Sequence, residues 1–278
     1  PQAWWDALQA SLAQVDTSQV EALSIGAQQH GMVVLDESGA VIRDALLWND
    51  TRSAPQAEDI ISEFGVDDIT QRTGSVPLAS FTSTKLAWLR QHEPEHAHRV
   101  AAVALPHDWL MWRLRGYGPA SESALGPDLT ALVTDRSDAS GTGYFSSGSN
   151  TYDDDIITFA LGHKPILPTV LGPGERAGLT PAGWILGPGG GDNAMAALGL
   201  GAELGDVVMN GSAIKIFADT VSTTDLTIDS TSGTVYAPTT TLSIAGNFTN
   251  NNTFAATDNS ASTPVMSKTL SSPLSGTC

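Results

Sequence analysis

At 278 residues the chain is long enough for one large domain or two ordinary ones, and its net charge of −17 argues against a surface for nucleic acid or an anionic membrane. The single cysteine, Cys278 at the last position, excludes an internal disulfide framework and fits a reducing, cytoplasmic setting. No apolar run is long enough to span a bilayer, and no basic-then-apolar leader opens the chain. The first residue is Pro1 rather than methionine, which reads as a cut from something longer. All seven Trp, all six His and every Arg precede about residue 205, and beyond it Thr, Ser and Asn dominate. That break suggests two pieces of different history.

Trp4, Trp5, Leu8, Leu12 and Val15 recur at helical spacing, so residues 1–15 are expected to form an amphipathic helix. Val20 to Ile25 and Met32 to Asp36 read as strands, with a third extended piece at Val41-Ile42. Between the first two lie Gln29 and His30, bracketed by Gly26 and Gly31, where their side chains can hydrogen-bond a polyol. A structural histidine bonded to backbone is the competing reading. The segment 45–53 reads as an apolar strand closing in a polar cluster. There Asn49 and Asp50 either line a site or only close a strand–helix junction. A helix over 82–91 is expected to bury Leu86 and Leu89 and leave Lys85 and Arg90 solvated. His92, His96 and His98 lack a tight second set of ligands, so no metal site is read there. A helix from Trp109 to Leu114 buries its aromatic residues. The polar run 134–142 suits a turn docked against a site or an ordinary Asx/Ser turn network. Asp153-Asp154-Asp155 suits a solvated helix start.

The stretch around which the chain is organised is Gly187-Pro188-Gly189-Gly190-Gly191-Asp192-Asn193, followed by an Ala/Met/Leu run. Three glycines permit a path that residues with a Cβ resist, and Asp192 stands at or near the N-cap of a short helix. A carboxylate accepting backbone N–H bonds at the positive end of a helix is expected to stay ionised. On a glycine turn it can approach a substrate hydroxyl closely, as a general base in phosphoryl transfer must. An ordinary capping Asp is the alternative.

Six stretches in order carry a family resemblance: Ser24 to Gly31, Leu46 to Ser53, Thr73 to Pro77, Leu105 to Leu110, Thr134 to Gly143, and Gly190 to Asn193. Over residues 1–206 the chain resembles the xylulokinases of the FGGY carbohydrate-kinase family. The resemblance implies an α/β fold, an actin-like (ribonuclease H-like) sugar-kinase domain, here incomplete, followed by a β-rich tail. It implies Mg-ATP as cofactor and D-xylulose as the small-molecule substrate, with neither nucleic acid nor membrane as partner, and family members are often dimeric. Asp192 would be the catalytic base, and Gln29, His30 and Asn193 would bind the sugar. The family's first strand and hairpin and most of its ATP domain have no counterpart here. The kinase activity of this chain is therefore expected to be impaired or lost. Ser232, Gly233 and Thr234 resemble the family's phosphate loop displaced downstream.

The tail has short alternating β segments at Ile214 to Phe217, Leu226 to Ile228, Thr234 to Tyr236 and Leu242 to Ile244. Together with Gly246 to Phe254 these resemble bacterial surface repeats that stack into parallel β-solenoids. The expected organisation is a partial kinase domain over 1–206, a β-rich segment over 207–254 and a disordered end over 255–278. Sequons at Asn210, Asn247 and Asn251 predict nothing without a leader. The alternative function is a non-catalytic kinase remnant fused to a β-repeat surface or interaction module. A join of two unrelated pieces is the third reading.

Overall fold

The computed structural model describes residues 1–201 in full and, beyond them, the backbone of short strands lying between 207 and 268. The chain divides into two units, Pro1–Met195 and Ala196–Cys278.

The first unit begins with α1 (Gln2–Leu12), followed by β1 (Ala22–Leu23), β2 (Gly26–Ala27) and β3 (Val33–Leu35). The expected strand over 20–25 is thus shorter and is followed by a second. Four helices come next: α2 (Ala54–Phe64), α3 (Val66–Thr73), α4 (Thr82–His92) and α5 (Pro94–His98). Then come β4 (Ala102–Ala104), α6 (Pro106–Leu114), a 3-10 turn at Leu129–Ala131, β5 (Val133–Asp135) and α7 (Arg136–Ser140). The unit closes with β6 (Phe145–Ser146), β7 (Thr151–Tyr152), α8 (Asp154–Leu161), β8 (Thr169–Leu171), β9 (Gly178–Leu179), β10 (Ile185–Leu186) and β11 (Gly190–Gly191). From β11 the chain enters α9 (Asp192–Gly199).

Pairing is mixed. β1 runs parallel to β10, β2 to β11 and β5 to β8, whereas β3–β4, β9–β10 and β6–β7 are antiparallel. Strand β3 explains the layering. Its side chains alternate, as a pleated strand requires. Val34, with Met32 before it, faces a core built from Ile60 of α2, Ile69 of α3, Leu86 and Leu89 of α4, and Ile156 of α8. Val33 and Leu35 face a second core with Trp109, Met111 and Trp112 of α6. Trp4, Trp5, Leu8 and Leu12 of α1 pack on that second core partly buried, as their spacing predicts. A strand covered on both faces must be apolar at every position, and Met32 to Leu35 is.

Helix termini follow local chemistry. Asp153 caps α8 by accepting the N–H groups of Asp155 and Ile156 at 3.1 Å each, and it also pairs with Arg72 at 3.3 Å. Gly74 and Gly162 close α3 and α8 in the left-handed conformation. The apolar strand expected within 45–53 does not form, and Leu46 makes only an isolated bridge to Met32. The expectation for α4 fails in part. Lys85 is fully buried rather than solvated, because α4 is enclosed along nearly its whole first two turns, Thr82 to Ala87. Leu86 and Leu89 are buried as expected, and Arg90 is exposed.

In the second unit the strands pair in parallel. β12 (Val207–Met209), β15 (Leu226–Ile228) and β18 (Phe248–Asn250) form one ladder. β13 (Lys215–Ile216), β16 (Val235–Tyr236) and β19 (Phe254–Ala255) form a second. β14 (Val221–Thr223), β17 (Thr241–Ile244) and β20 (Val265–Lys268) form a third. Partners are 19 to 24 residues apart, so each rung contributes one strand to each ladder. Strand β20 falls inside the stretch expected to lack order. Ser232, Gly233 and Thr234 lie outside the described residues.

Candidate functional site

The site is built where β2 and β11 lie side by side. Gly190 pairs with Gly26 and Gly191 with Ala27, and the Gly187 and Gly190 amides donate to Leu23 and Ile25 at 3.0 and 3.1 Å. The turn between β10 and β11 passes through Gly189, whose φ of 74° suits glycine, and a Cβ there would lie 2.0 Å from His107 Nε2. Cβ atoms on Gly26 and Gly190 would fall within 3 Å of Met195, which packs down on both strands from α9. The glycines therefore serve close approach, and they bring the first turn of α9 against the strand pair.

Asp192 is the first residue of α9 and is exposed, and its Oδ1 accepts the Asn193 N–H at 2.9 Å. Asn193 is exposed beside it. The Gln29 side chain lies against Gly191, within 2.8 Å of where a Cβ would stand, and its Nε2 donates to the Ser137 carbonyl at 2.6 Å. The structure thus brings Gln29 to the residue before Asp192, although the two are far apart in sequence.

His30 follows Gln29 in the left-handed region, at φ 67°. Its Nδ1 is 2.6 Å from the Gly141 carbonyl, which can only accept, so Nδ1 carries the proton. The ring is therefore fixed with Nε2 as its free acceptor when neutral. Burial lowers the His30 pKa and the Lys85 charge adds to that, against the Gly141 hydrogen bond and the Asp192 carboxylate, and the balance lies below the ordinary value. Phe81 packs against the ring at 5.0 Å between centroids.

Two side chains that sequence spacing did not reveal hold His30 from below. Lys85 Nζ donates to the His30 carbonyl at 3.1 Å and also to the Ser80 carbonyl, and Thr82 Oγ1 donates to the same His30 carbonyl at 3.2 Å. Burial lowers the ammonium's pKa to about 8, against the attraction of Asp50. Asp50 is itself tied to Arg52, whose backbone N–H and Nε it accepts at 3.1 and 2.9 Å.

The polar run 134–142 contacts Gln29, His30 and Gly191, and it also forms the Asx/Ser turn network of its other reading. Asp135 caps α7 by accepting the Ser137 and Asp138 amides and the Ser137 hydroxyl. Ser137 Oγ in turn accepts the Gly191 N–H at 3.0 Å. His92 and His96 are used locally, on the Trp88 carbonyl and on Glu93. A tighter group of potential ligands is His107, Asp108 and Asp138, all buried.

Residues 1–199 match the family model described as the N-terminal domain of the FGGY family of carbohydrate kinases. A xylulose kinase of Streptomyces coelicolor is 47% identical over 221 residues, covering 76% of this chain and 43% of that protein. The corresponding figures for a xylulose kinase of Streptomyces rubiginosus are 46% over 232 residues, 79% and 45%. The crystal structure of xylulose kinase from Bifidobacterium adolescentis superposes with a TM-score of 0.70 at 45% identity, covering 75% of this chain and 49% of that one. The chain spans less than half the length of these two curated relatives.

Proposed function

The chain belongs to the FGGY family of carbohydrate kinases, and on that premise we propose that it serves the ATP-dependent phosphorylation of D-xylulose to D-xylulose 5-phosphate. The observation that carries this reading is the exposed Asp192 carboxylate on its glycine turn, with Gln29 and His30 gathered around the same strand pair. The names of the relatives, xylulose kinases in each case reported above, supply the sugar.

Asp192 would take the proton from the C5 hydroxyl as that oxygen becomes the nucleophile. Its Oδ1 is held by the Asn193 amide, leaving Oδ2 for the incoming hydroxyl. His30 Nε2 would accept a hydrogen bond from a second sugar hydroxyl, and Asn193 and Gln29 would complete the set. Phosphoryl transfer asks mainly for such positioning and for stabilisation of spreading charge. These carboxylate, imidazole and amide groups fit a polyol. Mg-ATP, when bound, would supply the phosphoryl group. Among the described residues of this site the one ammonium, Lys85, is turned inward onto carbonyls, so these residues are proposed to form the sugar half of the reaction.

The proposed organisation is a partial kinase domain over 1–206, then a β-repeat segment over 207–254 and a terminal stretch to 278. The setting is cytoplasmic. No helix among the described residues is long and apolar enough to cross a membrane. A second reading, a kinase remnant carrying a β-repeat interaction module, is favoured by the three parallel ladders of the second unit.

Calorimetric titration of D-xylulose into the full chain, with and without Mg-ATP, separates the two. Binding that weakens at least about tenfold in Asp192→Ala or His30→Ala supports the sugar site. No binding in either condition refutes it and leaves the remnant reading.

A further inference from the structure

His107 is buried, and both of its ring nitrogens are engaged. Nε2 lies 2.8 Å from the carbonyl of Pro188, inside the glycine turn, and Nδ1 lies 3.2 Å from Asp138 Oδ2 and 3.1 Å from Asp108 Oδ1. We propose that His107, clamped between Asp108 and Asp138, is a positioning residue for the glycine turn that carries Asp192.

The protonation state follows from the partners. A carbonyl only accepts, so Nε2 must donate to Pro188. Nδ1 faces carboxylate oxygens on two elements, so it donates as well, and the ring is an imidazolium. Burial alone would lower its pKa, but Asp108 and Asp138 overcome that and raise it to about 10. Asp135 beyond Asp138 and the tyrosines Tyr144 and Tyr152 are the other titratable groups around the pair. Asp108 is anchored at its other oxygen, Oδ2, by the Leu105 N–H at 2.7 Å, which fixes it to the start of α6. Asp138 is fixed to the start of α7 through Asp135.

The consequence is a two-point suspension of the turn. Helix α6 reaches the Pro188 carbonyl through His107, and helix α7 reaches the Gly191 amide through Ser137 Oγ at 3.0 Å. The two anchors bracket Gly189 and Gly190 and fix the path by which the chain arrives at Asp192. A charge-assisted donor is about twice as strong as a neutral one, which suits an anchor on a loop that carries a reacting group.

The proposal gains its functional meaning from the sugar-kinase reading, and its test is independent of it. Amide hydrogen exchange is followed in the full chain for wild type, His107→Ala, His107→Gln and the isosteric Asp138→Asn. Ring nitrogen shifts of His107 are followed from about pH 6 to 9. The expected result is an imidazolium throughout that range in wild type. Exchange at Gly190 and Gly191 should be faster by at least about tenfold in His107→Ala, partly restored in His107→Gln, with the α4 amides unchanged. If His107→Ala does not fold, Asp138→Asn carries the test, with an intermediate acceleration at the same two amides. Unchanged exchange at the turn overturns the proposal. So does an equal rise across α4, which would make His107 a packing residue only. Xylulose affinity falling with turn exchange in the same order of variants supports both readings. Selective acceleration in a chain that never binds xylulose supports the positioning role and removes the sugar-kinase reading alone.

Discussion

His30 combines three constraints in one residue. Its backbone is left-handed, its ring is held by the Gly141 carbonyl, and its own carbonyl is held by Lys85 and Thr82. A non-glycine residue at positive φ costs about 1 kcal/mol or more, and such strain persists only where the surroundings over-determine it. Removing the clamp should therefore act on ligand binding through geometry. In Lys85→Met, D-xylulose affinity is expected to fall about tenfold by calorimetry. The pH dependence has a definite sign. The folded His30 pKa lies below its unfolded value of about 6.5, so the unfolded chain binds the proton first as pH falls. Stability present above about pH 6.5 is lost as pH falls through the folded value. The proposed xylulose binding is expected to weaken over the same descent, because Nε2 would cease to be an acceptor. Affinity that rises on acidification would contradict this. The placement of Gln29 and His30 between two strands, and of Asp192 at the start of a helix, was legible in the sequence because glycines bracket or precede them. Lys85 was not: the spacing of Leu86 and Leu89 marks one buried face of α4, and only neighbouring elements determine that the opposite face is enclosed too.

At the scale of elements, the glycine-rich junction of β2, β11 and α9 is a packing device. At Gly189 an added Cβ meets His107 and the Ile25 carbonyl, and the φ of 74° is itself unfavourable for alanine. Gly189→Ala is expected to destabilise the first unit by at least about 2 kcal/mol in urea melts. Gly26→Ala meets only the Met195 side chain, at 2.9 Å. Its cost should be largely relieved by Met195→Ala in the same chain. The double-mutant cycle is expected to show a coupling of about 1 kcal/mol, and strict additivity would mean that the two residues do not share this space. Helices α1 and α4, strand β3 and the glycine turn into α9 were readable from period and turn residues, but α3, α5 and the length of α6 were not. The helix starts at Pro106, with Asp108 turned back onto the Leu105 amide, three residues before its aromatic pattern begins. The roles of His107 and Ser137 were beyond sequence, since their partners lie 81 and 54 residues away.

For the whole molecule, the break in composition near residue 205 coincides closely with the division into two units after Met195. Repeat architectures are approximately sums of rungs and neighbour interfaces. Deleting residues 226–247, one complete rung, should therefore leave the circular-dichroism signature of strand in place at lower stability, whereas deleting half a rung should abolish it. In the first unit, β3 divides the apolar interior into two layers. Val33 and Val34 are chemically identical and adjacent, yet each belongs to a different layer. Their methyl resonances, selectively labelled, form an internal pair of reporters that share one backbone and one covalent neighbourhood. A perturbation that reaches one layer before the other will split them in time or temperature. The protein thus carries its own differential gauge for which half of its interior loosens first.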